Sequence, residues 1–276
     1  MQWREKLNNI THENNSLVCI GLDIDKQKIP KFLFETTKQP YLMFNKKIID
    51  STKDIVCAYK LNMAFYENLG LEGIKLLQKT VSYIPKKIFV IIDGKRNDIG
   101  NTAAKYAQTI FDTFHADATT VNPYLGKDGI QPFLAYTDKC SFILCRTSNP
   151  SAGDFQDLLC PTEPLYQIIA KKIKEWNING NCGVVVGATY PDELRIIRRI
   201  IGDDIPLLIP GIGTQGGEVQ KTIVNGTNSK GEMAIINSSR GIIYAGNKQD
   251  FAYQSRQKTL YLRDEINKYN ASYTKH

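Results

Sequence analysis

Two carboxylates and a lysine follow directly after an apolar run, and together these residue types could do acid–base chemistry. The run 88–92 is Ile-Phe-Val-Ile-Ile, and Asp93, Lys95 and Asp98 come after it. In an extended strand, side chains two apart share a face, so Asp93 and Lys95 are predicted to point the same way at the strand's C-terminal end. Asp98 lies where the chain has left the strand. The alternative is a solvated ion pair at a surface strand end.

Eight short apolar runs along the chain could form the strands that position these residues. Most are rich in β-branched residues, as expected for parallel strands covered on both faces. They are residues 17–22, 55–61, 88–92, 118–121, 142–145, 183–187, 206–209 and 233–236. Helical spacing of apolar residues lies between them. It covers 42–53, 64–82, 101–114, 163–176, 191–201 and 253–268, and more weakly 126–136 and 217–225.

Eight alternations of strand and helix predict a single α/β domain, a (β/α)8 TIM barrel. The domain spans residues 1–276 and is predicted to end in a short polar tail from about residue 269. A doubly wound open sheet is the alternative. That fold usually carries a glycine-rich dinucleotide fingerprint after its first strand, whereas this strand ends Gly21-Leu22-Asp23.

Composition and charge indicate the cellular compartment of the protein and argue against some classes of binding partner. No apolar run approaches the roughly 20 residues of a membrane span, and the charged N-terminus lacks a signal-peptide stretch, so we expect a cytoplasmic protein without a membrane partner. The six cysteines form no Cys-x-x-Cys pair and are predicted to be reduced thiols. The net charge of +7 is spread among acidic residues, which indicates solvated helix faces rather than a nucleic-acid surface. A positive field would also attract a phosphorylated substrate.

The last two strands end in sequences that could bind a phosphate group. A glycine-rich turn, 211–217, follows the seventh strand and contains Gln215, and Arg240 follows the eighth. Exposed backbone N–H groups, helix N-termini and a bidentate guanidinium suit phosphate, and these loops are where such barrels commonly bind it. The alternative is that the glycines form tight turns and Arg240 is a surface charge.

The remaining polar strand ends hold lysines and carboxylates but no histidine. His12, His115 and His276 lie away from them, so the commonest general base is missing. No nucleophile triad and no metal-ligand set of His, Cys and carboxylates is apparent. We therefore predict neither a metal nor a cofactor, and an alternating Lys-Asp-Lys-Asp array beside a phosphate pocket.

These residues resemble the orotidine 5′-monophosphate decarboxylase family over almost the whole chain, from Asp23 to Arg240. The matching elements are Lys60-x-Asn62, Asp93-x-Lys95-x-x-Asp98, Thr147-Ser148-Asn149-Pro150, Pro210-Gly211-Ile212-Gly213-x-Gln215-Gly216-Gly217 and Ser239-Arg240-Gly241. The length and the Thr-Ser-Asn-Pro element are similar to the longer, bacterial-type branch. The resemblance implies decarboxylation to UMP, the last step of pyrimidine synthesis, in a homodimer with shared active sites.

The resemblance also implies residue roles. Lys95 protonates C6 of the pyrimidine, Asp93 lies near the leaving carboxylate, and Lys60 belongs to the charge array. Asp98, with Ile99 and Thr102, reaches into the neighbouring subunit's site. Asp23 and Lys60 bind the ribose, Ser148 the pyrimidine amide, and Gln215 and Arg240 the phosphate. The full set of implied binding residues is Asp23, Asn62, Ile99, Thr102, Ser148, Pro210, Gln215, Arg240 and Gly241.

Two other functions remain open. Sister barrels such as hexulose-phosphate synthase and ketogulonate-phosphate decarboxylase share the Asp-x-Lys-x-x-Asp element but use magnesium. A carboxylate would suit such a metal site better than Lys60. A basic nucleic-acid-binding or scaffolding protein would need aromatic residues interleaved with a contiguous basic face, and the 14 tyrosines are scattered instead.

Overall fold

Eight parallel strands close into a barrel in the order in which they occur along the chain. The structure is a computed structural model and describes residues 2–212 and 216–273. The strands are β1 (Val18–Gly21), β2 (Ala58–Asn62), β3 (Phe89–Arg96), β4 (Ala118–Val121), β5 (Cys140–Arg146), β6 (Cys182–Val186), β7 (Leu207–Pro210) and β8 (Ala234–Ser238). Because β1 pairs with β8, the barrel prediction is confirmed and the open sheet is excluded.

Helices lie around the outside of the barrel. They are α1 (Trp3–Glu13), α2 (Phe32–Thr36), α3 (Pro40–Thr52), α4 (Met63–Glu67), α5 (Gly70–Tyr83), α6 (Gly100–Gln108), α7 (Lys127–Leu134), α8 (Gly153–Gln156), α9 (Leu165–Trp176), α10 (Pro191–Ile201), α11 (Gly216–Gly226), α12 (Arg240–Ile243) and α13 (Phe251–Tyr273). A π-helical turn, Thr109–Thr113, extends α6, and 3-10 turns lie at Pro150–Ala152 and Asn177–Asn179.

The strands are buried on both faces, which explains their uninterrupted apolar sequence. Every residue of β1, β4, β6 and β8 is buried, since side chains fill the barrel on one face and helices cover the other. None of the helices in residues 2–212 and 216–273 combines the length and the apolar character that crossing a membrane requires.

Several helices differ from the sequence prediction. The predicted helix 64–82 is two helices, α4 and α5, because the chain turns at Gly70, whose φ is +62°. Helix α13 continues through Tyr273, beyond residue 268 where the predicted helix ended. Helix α1 was not predicted. It lies at the N-terminal end of the barrel, where Lys6 pairs with Asp117 at 2.6 Å, just before β4.

A buried arginine ties the outer helices to the segments that lead into β7 and β8, at the N-terminal end of the barrel. Arg198 of α10 donates hydrogen bonds of 2.8–3.1 Å to backbone carbonyls of four residues. These residues are Gly202, Ile205, Gly226 and Met233. Burial lowers the pKa of Arg198 to about 10, so its charge at neutral pH is held by carbonyl dipoles.

We expect Arg198→Ala to lower the free energy of unfolding by about 3 kcal/mol, because several buried carbonyls lose their donor. Urea denaturation of the two proteins measures this. The neighbouring Arg199 is exposed, and Arg199→Ala should change stability by no more than about 0.5 kcal/mol. Equal effects of the two substitutions would contradict the structural role of Arg198.

Candidate active site

Asp93, near the end of β3, is the centre of a buried charge cluster. Lys60 Nζ donates to its Oδ2 at 3.0 Å, and Lys95 Nζ donates to its Oδ1 at 2.7 Å. The hydroxyl of Thr120 on β4 also donates to Oδ1, at 2.7 Å. Burial disfavours the charged carboxylate, but the two ammonium groups and the hydrogen bonds outweigh it and hold the pKa of Asp93 well below its usual range.

Lys60 lies between two carboxylates in the barrel interior. Its Nζ is 3.0 Å from Asp93 Oδ2 and 3.9 Å from Asp23 Oδ1. Burial favours the neutral amine, but Asp93 and Asp23 prevail and raise the pKa of Lys60 above its ordinary value. Asp23 Oδ1 is buried without a hydrogen-bond donor among the described residues, which leaves it free to accept one from a ligand.

Strand register brings these side chains together. Gly21 pairs with Lys60, and Lys60 pairs with Ile91. Asp23 lies two residues after Gly21, and Asp93 lies two residues after Ile91. Side chains two apart share a strand face. The interior faces of β1, β2 and β3 therefore meet at one point of the C-terminal rim.

A bulge in β3 turns Lys95 toward the site. Ile92 pairs with Thr119 and Arg96 pairs with Val121, so four steps along β3 match two along β4. Lys95 has a φ of +47°, a left-handed conformation that is unusual for a residue with a side chain. Thr120 stabilises it, because its Oγ1 accepts the backbone N–H of Lys95 at 2.9 Å. The predicted contact of Asp93 with Lys95 is present, but a bulge produces it rather than a regular strand.

A cavity of about 790 Å³ opens above this cluster at the C-terminal end of the barrel. Asp23, Lys60 and Asp93 line one part of it, together with Asn62, whose Oδ1 caps α4 by accepting the N–H of Ala64 at 3.1 Å. The ends of β7 and β8 form the adjoining wall, since β8 pairs with β1. That wall contains Pro210, Gly211, Ile212, Asn237, Ser238, Ser239, Arg240 and Gly241. The cavity therefore joins the charge cluster to the predicted phosphate-binding loops.

Three basic side chains lie at the outer part of this cavity. Arg240 begins α12, Lys28 lies in the loop after β1, and Lys258 projects from α13. The ion pairs of the cavity lie at the other end, and no carboxylate of the described residues pairs with any of these three cations. Lys28 and Lys258 were not among the residues predicted from the sequence. Lys28 follows the first strand closely enough to have been found, whereas nothing local marks Lys258, which only helix packing brings to the cavity.

Ser148, in the loop after β5, lies at the edge of the cavity. A Cβ on the cavity residue Gly211 would stand 3.9 Å from Ser148 Cβ and 4.0 Å from its Oγ. Ser148 is exposed, and its hydroxyl makes no hydrogen bond among the described residues. The hydroxyl is therefore available to a ligand in the cavity.

The remaining predicted site residues lie apart from the cluster or outside the described residues. Asp98 Oδ1 accepts the N–H of Ile99 at 2.8 Å, and Asp98 forms no ion pair with any described residue of this chain. Ile99 and Thr102 are exposed. The structure thus does not bring these three to the chain's own Lys95. Gln215 lies outside the described residues.

Comparisons with known proteins agree with the geometry. A model of the Orotidine 5'-phosphate decarboxylase / HUMPS family matches residues 16–254. An orotidine 5'-phosphate decarboxylase of Cellvibrio japonicus is 47% identical over 273 residues, covering 97% of this chain and 98% of its own. One from Dehalococcoides mccartyi is 45% identical over 273 residues and 98% of both chains.

A solved structure extends the agreement to three dimensions. The OMP decarboxylase of Leishmania donovani superposes with a TM-score of 0.86 at 34% identity, covering 98% of this chain and 99% of its own. The family model, the two relatives and this structure each span most of the chain. By its sequence, its barrel and the residues at its C-terminal rim, the chain belongs to the orotidine 5′-phosphate decarboxylase / HUMPS family.

Proposed function

We propose that this protein converts orotidine 5′-monophosphate to UMP and carbon dioxide without a cofactor, as the last step of pyrimidine synthesis. One observation carries the proposal. Buried Lys60 and Asp93, with Lys95 bound to Asp93, lie at the inner end of a cavity of about 790 Å³, and Arg240, Lys28 and Lys258, which pair with no carboxylate of the described residues, lie at its exposed end. A nucleotide that is anionic at both its base and its phosphate is complementary to such a cavity. The names of the similar proteins support the same substrate.

Lys95 is suited to the central step. Loss of carbon dioxide leaves an electron pair on a pyrimidine carbon that no π-system delocalises, and a fixed cation must stabilise it and then supply a proton. The Lys95 side chain is 47% exposed, and Asp93 holds its Nζ at 2.7 Å. An ammonium that is accessible and already oriented can serve as both the electrostatic partner and the acid.

Asp93 has two roles in this proposal. It orients Lys60 and Lys95, and its lowered pKa keeps it anionic at neutral pH. In the proposed complex it lies near the substrate carboxylate, so loss of that group as neutral carbon dioxide, with its bonding electron pair left on the pyrimidine carbon beside Lys95, relieves a repulsion. The positive groups beside Asp93 remain to face the carbanion.

The position of Lys60 favours this chemistry over that of a magnesium-dependent sister barrel. Its Nζ lies 3.0 Å from Asp93 and 3.9 Å from Asp23. The ammonium thus occupies the space between the two carboxylates where a divalent cation would need to bind. A metal at this point would have to displace a buried lysine from its partners.

Ultraviolet absorbance of orotidine 5′-monophosphate with purified protein in excess EDTA tests the function. Conversion to UMP in EDTA supports the cofactor-independent reaction. No conversion in EDTA, with activity on a sugar phosphate after magnesium is added, would replace this proposal with the sister activity.

A homodimer with shared sites accounts for the exposed residues beyond β3. Ile99 is 60% exposed and Tyr124 is 81% exposed, and both are large apolar side chains. A Cβ on Gly129 of α7 would meet the backbone oxygen of Asp98 at 3.1 Å and Leu125 at 3.3 Å, so these segments form one surface. We infer that this surface contacts a second copy and that Asp98, Ile99 and Thr102 complete the partner's site.

We expect Lys95→Ala to abolish turnover while UMP still binds, because the variant loses the proton donor and keeps the other cavity walls. Steady-state kinetics and a UMP titration by calorimetry measure the two properties. Substantial turnover in this variant would show that another group protonates the product.

We expect Arg240→Ala to lower kcat/KM by an amount that corresponds to a loss of about 2–4 kcal/mol in transition-state stabilisation, because the variant loses a charged hydrogen-bond donor. Lys248→Ala provides a matched control, since Lys248 is exposed on the following loop and does not line the cavity. An Arg240→Ala enzyme with the kcat/KM of the control would contradict the phosphate assignment.

Mixing two inactive variants tests the shared site. Lys95→Ala and Asp98→Ala each disable both sites of a homodimer, but a mixed dimer contains one site with both residues intact. Equal amounts that re-associate should therefore regain about a quarter of wild-type activity. Kinetic assays after denaturation and joint refolding measure this. No recovery, with mixed dimers present on a native mass spectrum, would place Asp98 outside the partner's site.

A further inference from the structure

The loop that carries Ser148 is held from both sides. After β6, the N–H of Gly187 donates to the carbonyl of Arg146 at 2.8 Å. A Cβ on Gly187 would stand 2.7 Å from Ser148 Cβ, so the loop packs directly against this glycine. On the other side, Gln156 of α8 accepts the N–H of Thr147 through its Oε1 at 2.8 Å.

Gln156 fixes the side chain of Thr147 as well as its backbone. Its Nε2 donates to Thr147 Oγ1 at 2.9 Å, and Thr147 Oγ1 donates in turn to Asn149 Oδ1 at 2.6 Å. One amide therefore binds the residue before Ser148 at two points and, through Thr147, the residue after it. Ser148 itself makes no such contact and takes its direction from these neighbours.

Gln156 is anchored to a buried cation. Arg146 is 2% exposed, and its Nη1 donates to Gln156 Oε1 at 3.4 Å. Its Nη2 donates to Asp157 Oδ2 at 2.9 Å, and its guanidinium lies 3.7 Å from the ring centroid of Tyr190. The short helix α8 is thus tied to β5 and to the segment after β6.

We propose that Gln156 is a positioning residue that orients the Ser148 hydroxyl and thereby sets the enzyme's affinity for the base of its nucleotide. The inference rests on the proposed function, in which Ser148 binds the pyrimidine amide. Ser148 lies beside Gly211, and among the described residues neither Gln156 nor Thr147 forms a hydrogen bond with the cavity cations Arg240 and Lys258. Loss of Gln156 should therefore affect recognition of the base and spare recognition of the phosphate.

Inhibition by two ligands that differ in the base tests this. UMP presents the pyrimidine, ribose and phosphate, whereas ribose 5-phosphate lacks the pyrimidine. For Gln156→Ala we expect the inhibition constant of UMP to rise by about tenfold or more, since small displacements of a binding group are costly. The constant of ribose 5-phosphate should stay within about twofold of the wild type.

A conservative variant and a control distinguish positioning from general damage. In Gln156→Glu, the carboxylate can accept both the N–H and the Oγ–H of Thr147, so we expect UMP affinity to recover to within about threefold of wild type. Gln220 is exposed on α11, and Gln220→Ala should leave both constants unchanged. Equal weakening of UMP and ribose 5-phosphate in Gln156→Ala would show loss of the folded site and overturn the inference.

Ser148→Ala separates this inference from the proposed function. If Ser148→Ala raises the inhibition constant of UMP and Gln156→Ala does not, the positioning role is overturned and the proposed function stands. If neither variant raises this constant although the wild type turns over orotidine 5′-monophosphate, both the base contact of Ser148 and the positioning role of Gln156 are overturned. Absence of turnover in the wild type overturns the proposed function itself.

Discussion

The site depends on one buried carboxylate shared by two lysines. Asp93 accepts from Lys60, Lys95 and Thr120, so residues of β2, β3 and β4 must meet at one point. A carboxylate taken out of water is stable only if such partners offset its lost hydration. Closure of the barrel supplies them, because the carboxyl ends of all its strands converge on one rim.

Local strain and tertiary support act together at Lys95. The left-handed φ of +47° at this residue opposes its intrinsic preference, and the bulge between β3 and β4 removes regular pairing. Thr120 offsets both, since one hydroxyl accepts the N–H of Lys95 and donates to Asp93. Unlike Lys60, Lys95 keeps about half of its side chain exposed, so the two lysines of the array differ in their access to a ligand.

Charge is distributed unevenly along the cavity. At the inner end Lys60 and Lys95 are balanced by Asp93 and Asp23, so their positions are fixed before a ligand arrives. At the outer end Arg240, Lys28 and Lys258 have no carboxylate partner among the described residues. Such an arrangement attracts an anionic group to the outer end. The free energy of binding that group can offset the cost of orienting and desolvating the rest of a ligand at the inner end.

The sequence by itself determined the eight strands, their alternation with helices, and Lys60, Asp93 and Lys95 as members of the charge cluster, whereas Asp98 of the predicted array does not join the cluster within this chain. These depend on local periodicity and on which polar residues end each strand. Only the tertiary structure decided the separation of α4 from α5 at Gly70, the bulge at Lys95, the position of Lys258 in the cavity and the hydrogen bonds between Gln156 and Thr147. Each of these depends on contacts between segments distant in the chain or on a backbone turn that packing imposes. Periodicity records which face of an element is buried, but not which other element covers it.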